Sequence, residues 1–396
     1  MSQKTGTRTF GWYSETCFYR SERFIYDQFQ GMERATVRVL GCWPANRDEF
    51  PVASRFLTEE AGTPMGRVTR AILRRVYRHR PIPGHLPSYA VHRLVRHLSS
   101  RPVDLIYCVF GWNAAQLLEV LEQLDRRIPL VFLTAGSDVT SARSLGDDYL
   151  LRLLRAVDRA SLVLCESEFL KRKLLDLGAP AEKIDTHAIG IRVPVSDRTG
   201  PGVDGPEFRA LAVSRLSPVK NVPATIRSFA KVVDSIPGAT LEIIGDGEQR
   251  QVCEAMIESL GLRDRVFLRG SRPLDEVYEA MRSAHVFLQH NVRTTEGQEE
   301  GLGHTIMEAS AHRLPTIVTR SGGNAEIVLD GRSGVLVDPG DEAGMSRAIL
   351  DLARDSKRRH AMGALGREVV MQRFDIRRQN RRLEDLLHRV CEEAWR

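Results

Sequence analysis

Residues 210–221 read Ala210-Leu211-Ala212-Val213-Ser214-Arg215-Leu216-Ser217-Pro218-Val219-Lys220-Asn221: a short apolar run, a turn containing proline, and the approach to a helical pattern over 224–235. A continuous apolar run of this length, bounded by turn residues, suits a strand buried on both faces of a sheet. The same unit recurs downstream, with strands predicted at 240–245, 266–269, 286–289, 316–319 and 334–337 and helices at 250–260 and 345–353 among them. Upstream the rhythm is similar. Strands are predicted at 9–13, 36–41, 104–110, 130–134, 161–166 and 184–189, with helices such as 114–124 and 169–177. Between the two series, residues 192–206 collect Pro194, Pro201, Pro206, Gly200, Gly202 and Gly205, the composition of a linker.

Strand–helix alternation predicts a parallel sheet covered on both faces. Twice over, it predicts an α/β protein of two Rossmann-like domains facing a cleft, at residues 1–195 and 196–374. Residues 375–396 are highly charged, with Ile376, Leu383, Leu386, Leu387 and Val390 along one side. They are expected to form a helix that crosses back to pack on the N-terminal domain.

The length of 396 residues is too great for one ordinary core, and 42% apolar with 27% charged residues is a soluble globular composition. No apolar run approaches the ~18 residues of a membrane span, and residues 1–9 lack the apolar core of a signal peptide. The expected location is the cytoplasm. The six cysteines are scattered without CxxC spacing, and Cys108, Cys165 and Cys253 lie in apolar patterns, so they read as buried thiols and not as disulfides or zinc ligands. The net charge is +6. Part of the excess is local: Arg67, Arg70, Arg74, Arg75, Arg78 and Arg80 accompany Val68, Ala71, Ile72 and Val76 at helical spacing. A basic amphipathic helix over 65–80 suits either peripheral contact with the inner face of an anionic membrane or an ordinary solvated face. Nucleic acid is not an expected partner, because no binding motif or interleaved aromatic set accompanies the charge.

In open parallel sheets ligands bind beyond the carboxyl ends of the strands. Two constellations lie there. The first is Glu299-Glu300-Gly301-Leu302-Gly303-His304-Thr305-Ile306-Met307-Glu308-Ala309, a glycine-rich turn opening a helix near His304. Such a turn offers free N–H groups and the positive end of a helix dipole to an anion. Glu300 precedes the turn and Glu308 follows one turn into the helix, so a diphosphate there sits between two carboxylates able to grip hydroxyls. The second is the turn from Ser214 to Asn221, where Arg215 and Lys220 can neutralise a diphosphate and its charge as it leaves a sugar.

The run from Arg209 to about Ile376 resembles the retaining GT-B glycosyltransferases of family 4 (glycosyl transferases group 1), closest to the exopolysaccharide, colanic-acid-type branch. The landmarks stand in family order: Ser214-Arg215-Leu216 with Lys220, Ile244-Gly245-Asp246-Gly247, Val266-Phe267-Leu268-Arg269-Gly270, Glu300-x7-Glu308, Leu314-Pro315-Thr316-Ile317-Val318, and Gly331-Arg332-Ser333-Gly334-Val335-Leu336-Val337. The N-terminal half matches less closely. Ser21-Glu22-Arg23-Phe24-Ile25 with Gln28 resembles the family's S-E-T-F-I…Q signature, and Ser14-Glu15-Thr16 offers a second register.

The resemblance implies transfer of a sugar, with retention, from a nucleotide-sugar (UDP-linked) to a hydroxyl of a glycan, lipid-linked or small-molecule acceptor. It implies that Arg215 and Lys220 bind the donor diphosphate, Glu300 faces the donor sugar, and Glu308 binds the ribose. The turn Gly301-Leu302-Gly303-His304-Thr305 caps the β-phosphate, and the base lies beside 267–271, which includes Gly270. It implies no cofactor and no metal, and the adjacent Asp147-Asp148 lack D-x-D spacing. The family's His-Gly-x-Asp reads Ala135-Gly136-Ser137-Asp138 here. Ala135 keeps the main-chain carbonyl but deletes the imidazole that in the family commonly contacts the donor's 6-hydroxyl, which points either to a donor lacking that hydroxyl or bearing a bulkier C6 group, or to another group such as His304 taking over the contact. Asp138 is a candidate contact for donor or acceptor. Two rival readings are a nucleotide-sugar epimerase on the same fold, which would want paired acid/base carboxylates and histidines, and a non-catalytic glycosyltransferase-like partner subunit.

Overall fold

The computed structural model describes residues 7–18, 22–44, 46, 48–58, 83–194 and 207–395. The basic stretch at 65–80 and most of the Pro/Gly-rich linker lie outside these residues. The chain divides into two compact units, one made of Met1–Gly190 with Ile376–Arg396 and the other of Ile191–Asp375.

The first unit carries strands β1 (Thr9–Cys17), β2 (Thr36–Pro44), β3 (Arg55–Leu57), β4 (Leu105–Val109), β5 (Leu130–Thr134), β6 (Leu162–Cys165) and β7 (Ile184–Thr186). They form one parallel sheet in the order β3-β2-β1-β4-β5-β6-β7. The second unit carries β8 (Arg209–Val213), β9 (Thr240–Ile244), β10 (Val266–Gly270), β11 (Val286–Gln289), β12 (Thr316–Thr319) and β13 (Gly334–Val337). Their order is β10-β9-β8-β11-β12-β13, again all parallel. Each unit is thus a doubly wound, Rossmann-like sheet whose order reverses between its first and fourth strands, as the alternating sequence predicts. The short β3 was not predicted.

Alternation along the strands explains why both faces are covered. In β4, Ile106 and Cys108 enter one core with Leu94, Leu117 and Phe132, while Leu105, Tyr107 and Val109 enter another on the opposite face. That second core is closed by the helix Ile376–Ala394, which contributes Leu383, Leu386, Leu387, Val390 and Cys391. Arg34 pins the helix: its main-chain N–H and Nε donate to Glu384 at 2.8 and 3.2 Å, and Nη2 donates to Asp385 at 2.8 Å. All six cysteines are buried. In the second unit Ala210, Ala212, Val286, Leu288 and Ile317 share one core, and alternation turns the buried Leu211, Phe287 and Val318 to the other face. No helix among the described residues is long and apolar enough to cross a membrane.

His187 follows β7, its N–H bonded to the Cys165 carbonyl at 2.8 Å. Its ring is fully buried, and neither ring nitrogen has a hydrogen-bond partner among the described residues. Burial, aided by the Arg382 guanidinium, pushes its pKa down to about 3. The folded protein therefore binds this proton less readily than the unfolded chain, whose imidazole titrates near 6.5. Stability is fully present above that value and falls as the pH drops below it, by about 1.4 kcal/mol per pH unit down to the folded pKa. Replacing His187 with Leu is expected to flatten the acid limb of a plot of unfolding free energy against pH; an unchanged limb in denaturant melts would assign acid sensitivity to other groups.

Candidate functional site

The switch point of the second sheet lies between β8 and β11, and the loops that leave these two strands meet there. After β8, Arg215 is exposed, and its guanidinium has no ion pair or hydrogen bond among the described residues. The chain then makes a single tight turn, Pro218–Lys220, before Asn221 at φ +44° opens the helix Val222–Ala230. Val292, beyond β11, donates its N–H to the Val219 carbonyl at 3.0 Å, which ties the two loops together.

Glu300 closes the arrangement. Its Oε2 pairs with the Lys220 ammonium and accepts a hydrogen bond from Asn291 Nδ2 at 2.7 Å. The Lys220 and Glu300 side chains are only 14% and 15% exposed, so solvent screens this pair far less than a surface ion pair. Two glycines permit the close approach of the supporting backbone. At Gly322 (φ +59°) a Cβ would lie 1.8 Å from the Glu300 carbonyl oxygen, and at Gly245 (φ +137°) one would lie 1.9 Å from that of Ser214.

The helix His304–Ala311 starts beside Glu300, with Ile306 and Met307 N–H groups closing on the Gly303 carbonyl at 3.0 and 3.1 Å. Gly301, Leu302 and Gly303 are buried, whereas His304, Thr305 and Glu308 are half-buried. The far end of the helix is fixed by the buried Arg367, whose Nη1 donates to the Ala311 carbonyl, a favourable charge at a helix C-terminus. Gly270 ends β10 at φ +70° and accepts the Gly245 N–H at 2.9 Å. The fold thus brings Lys220 and Glu300 into direct contact, with Thr305 and Glu308 on the adjoining helix. Gly270 lies at the carboxyl end of a strand further along the same sheet.

Among the described residues, no group of three or more His, Cys, Asp or Glu side chains could hold a metal ion. A cation paired with a carboxylate at the switch point, beside a helix N-terminus, suits an anionic ligand that also carries hydroxyl groups. The family model described as Glycosyl transferases group 1 matches residues 196–369, and that described as Glycosyltransferase Family 4 matches residues 21–192. The chain belongs to the family 4 glycosyltransferases. Over 338 residues it is 28% identical to the GDP-mannose-dependent alpha-(1-6)-phosphatidylinositol monomannoside mannosyltransferase of Mycolicibacterium smegmatis, covering 79% of this chain and 84% of that one. Over 290 residues it is 26% identical to the amylovoran biosynthesis glycosyltransferase AmsK of Erwinia amylovora, covering 73% and 70%. The crystal structure of Anabaena Alr3699/HepE in complex with UDP-glucose superposes with a TM-score of 0.74 at 20% identity, over 96% of this chain and 99% of that one. That likeness is one of fold, and the fold is GT-B.

The glycosyltransferase's Ala135 and Asp138 belong to the first unit, at the carboxyl end of β5. Asp138 is fully buried. Its Oδ1 accepts the Gly136 and Ala135 N–H groups at 2.9 and 3.2 Å, its Oδ2 accepts the Gly111 N–H at 2.8 Å, and its carbonyl accepts Tyr149 Oη at 2.8 Å. The carboxylate is thus engaged by main-chain N–H groups and orders the loop that carries Ala135. Burial raises its pKa to about 6 against the backbone hydrogen bonds that lower it. The two registers of the N-terminal signature also separate. Ser14, Glu15 and Thr16 lie inside β1, whereas Glu22 stands directly before the helix Arg23–Gln30.

Sequence reading passed over Gln289, Asn291 and Asn324, which lie behind Glu300 and are 3%, 0% and 0% exposed. The available signal was the polar pair Gln289 and Asn291 at the end of an otherwise apolar strand. For Asp138, Asp138→Asn sets an amide donor against at least one backbone N–H. It is expected to lower unfolding free energy by about 1–3 kcal/mol. A thermal melt that matches the wild type would show that the loop does not depend on this carboxylate.

Proposed function

We propose that this family 4 glycosyltransferase moves a sugar from a UDP-linked donor to a hydroxyl of a glycan, lipid-linked or small-molecule acceptor, with retention of anomeric configuration. The observation that carries the reading is the meeting of Lys220 and Glu300 at the switch point, beside the unpaired Arg215 and the start of the helix His304–Ala311. In this reading Arg215 and Lys220 hold the diphosphate, N–H groups around Gly303 to Thr305 cap its β-phosphate, and Glu300 takes hydroxyls of the donor sugar. Glu308 takes the ribose, and the base lies near Gly270. The bond from the anomeric carbon to the β-phosphate oxygen breaks as the acceptor oxygen bonds to that carbon. The acceptor's proton passes to the leaving phosphate, and the two cations offset its developing charge. No metal or cofactor enters the scheme. The reading includes work at the cytoplasmic face of a membrane, and the name of the relative from Mycolicibacterium smegmatis specifies a phosphatidylinositol monomannoside.

Titration calorimetry with UDP tests the site. Lys220→Ala and Glu308→Ala are each expected to weaken binding by about tenfold or more, the scale of losing one charge-assisted contact. Wild-type affinity in both folded variants would remove the diphosphate and ribose assignments. Ala135 supplies a second test. With no side chain to reach C6, the enzyme is expected to turn over 6-deoxy, pentose or uronic-acid donors faster than UDP-glucose; a clear preference for glucose in a mass-spectrometric donor screen would refute that.

A further inference from the structure

Behind Glu300 runs a chain of hydrogen bonds whose direction is fixed. A carboxylate can only accept, so Asn291 must present its Nδ2 to Glu300 Oε2, at 2.7 Å, and turn its Oδ1 away. That oxygen accepts from Gln289 Nε2 at 2.5 Å and from Asn324 Nδ2 at 3.4 Å. Gln289 Oε1 in turn accepts the Thr305 hydroxyl at 2.9 Å. Asn324 also donates to the Thr319 carbonyl at 3.2 Å, and Thr319 Oγ1 donates to the Asn291 carbonyl at 2.6 Å. Every amide in the chain therefore has one usable orientation. The three amide side chains are almost wholly shielded from solvent.

Asn324 Oδ1 is buried without a hydrogen-bond partner among the described residues, so the relay carries a desolvation cost that apolar residues filling the same space would not. Its two ends explain its presence. One end is Thr305, the second residue of the helix His304–Ala311, and the other is the carboxylate of Glu300 in the preceding loop. The relay makes these two groups one rigid body at the point where β11 ends.

The partners of Glu300 Oε2 divide the labour. Lys220 and Asn291 both reach this oxygen, and among the described residues they are its partners. A diphosphate drawn to Lys220 competes for the ammonium, and Asn291 then holds Oε2 by itself. Oε1, to which neither group hydrogen-bonds, stays aimed by that remaining bond.

We propose that Asn291, backed by Gln289, is a positioning residue that orients Glu300 toward the sugar of a nucleotide-sugar, so that the relay governs recognition of the sugar and not of the nucleotide. The inference rests on the donor-site reading given above. It predicts a specific split. Loss of the relay damages the extra affinity that a nucleotide-sugar has over the bare nucleotide, and leaves the bare nucleotide nearly untouched.

The test uses the full chain with Asn291→Asp and Gln289→Glu, both of which conserve side-chain volume. Asn291→Asp deletes the donor and sets a second carboxylate against Glu300, and Gln289→Glu deletes the donor to Asn291 Oδ1. Calorimetry with UDP and with UDP-xylose, a pentose donor of the kind that the Ala135 reading favours, is expected to show the affinity ratio of the two ligands reduced about tenfold in Asn291→Asp, with UDP itself changed by less than about threefold. Gln289→Glu is expected to move the ratio in the same direction by a smaller factor. In Asn291→Asp the acid limb of kcat/KM moves to higher pH by about one unit or more, because two adjacent carboxylates raise the pKa at which one of them ionises. A residue that merely supported the loop would not shift that limb. Folded variants that keep both the wild-type ratio and the wild-type limb would overturn the assignment of Asn291 and Gln289 while leaving the donor site standing. A wild-type protein that binds neither ligand would overturn the donor site itself, and this inference with it.

Discussion

The half-buried contact between Lys220 and Glu300 is the constraint around which the second unit's functional end is built. Withdrawing two opposite charges from water costs several kcal/mol per ion unless each gains further partners. Here the added partner is Asn291, and the backbone is arranged to keep it in place. The loops after β8 and β11 are stitched by the Val292–Val219 bond, and Gly322 lets the chain after β12 pass directly under Glu300. None of this would meet if the sheet were wound in simple sequential order. It is the crossover that makes β11 the neighbour of β8 that sets the two loops side by side.

The first unit shares the winding but uses the equivalent end differently. The acid group there, Asp138, is turned into the protein and saturated by backbone N–H groups, so it shapes a loop without presenting charge. One unit therefore holds a carboxylate paired with a cation, and the other holds one bound by main chain beside the half-buried Ala135.

Most of the other twelve strands were legible because they hold a short apolar run buried on both faces, the strongest signal a parallel sheet leaves in a sequence, and β7, also of three residues, was reached inside the longer run 184–189. The exception, Arg55–Leu57, has three residues, one of them an exposed arginine, and too little pattern to register. The helix Ser356–Arg373 was equally silent. Its buried positions include Arg359, Gly363, Gly366 and Arg367, so no apolar stripe marks it, although it is the element that braces the helix His304–Ala311. Charged groups at strand ends, such as Arg215, Lys220 and Glu300, stand out from their neighbours by type alone. The amides behind them do not. Asn291 and Gln289 acquire meaning only from the orientation each imposes on the next, and residue type carries no record of that. Asp138 illustrates the converse: its position at a strand end was correctly read, but the direction of its side chain depends on Gly111, which is distant in sequence.

The helix Ile376–Ala394 has a consequence for how the chain reaches this state. The first unit is begun first during synthesis, yet one wall of its core, from Leu383 to Cys391, is made only after all of the second unit. The contiguous stretch Ile191–Asp375 has every strand of its sheet available earlier. Domains on a ribosome ordinarily mature from the amino end. In this protein the covering of that face depends on a segment translated after the whole of the carboxyl-side unit.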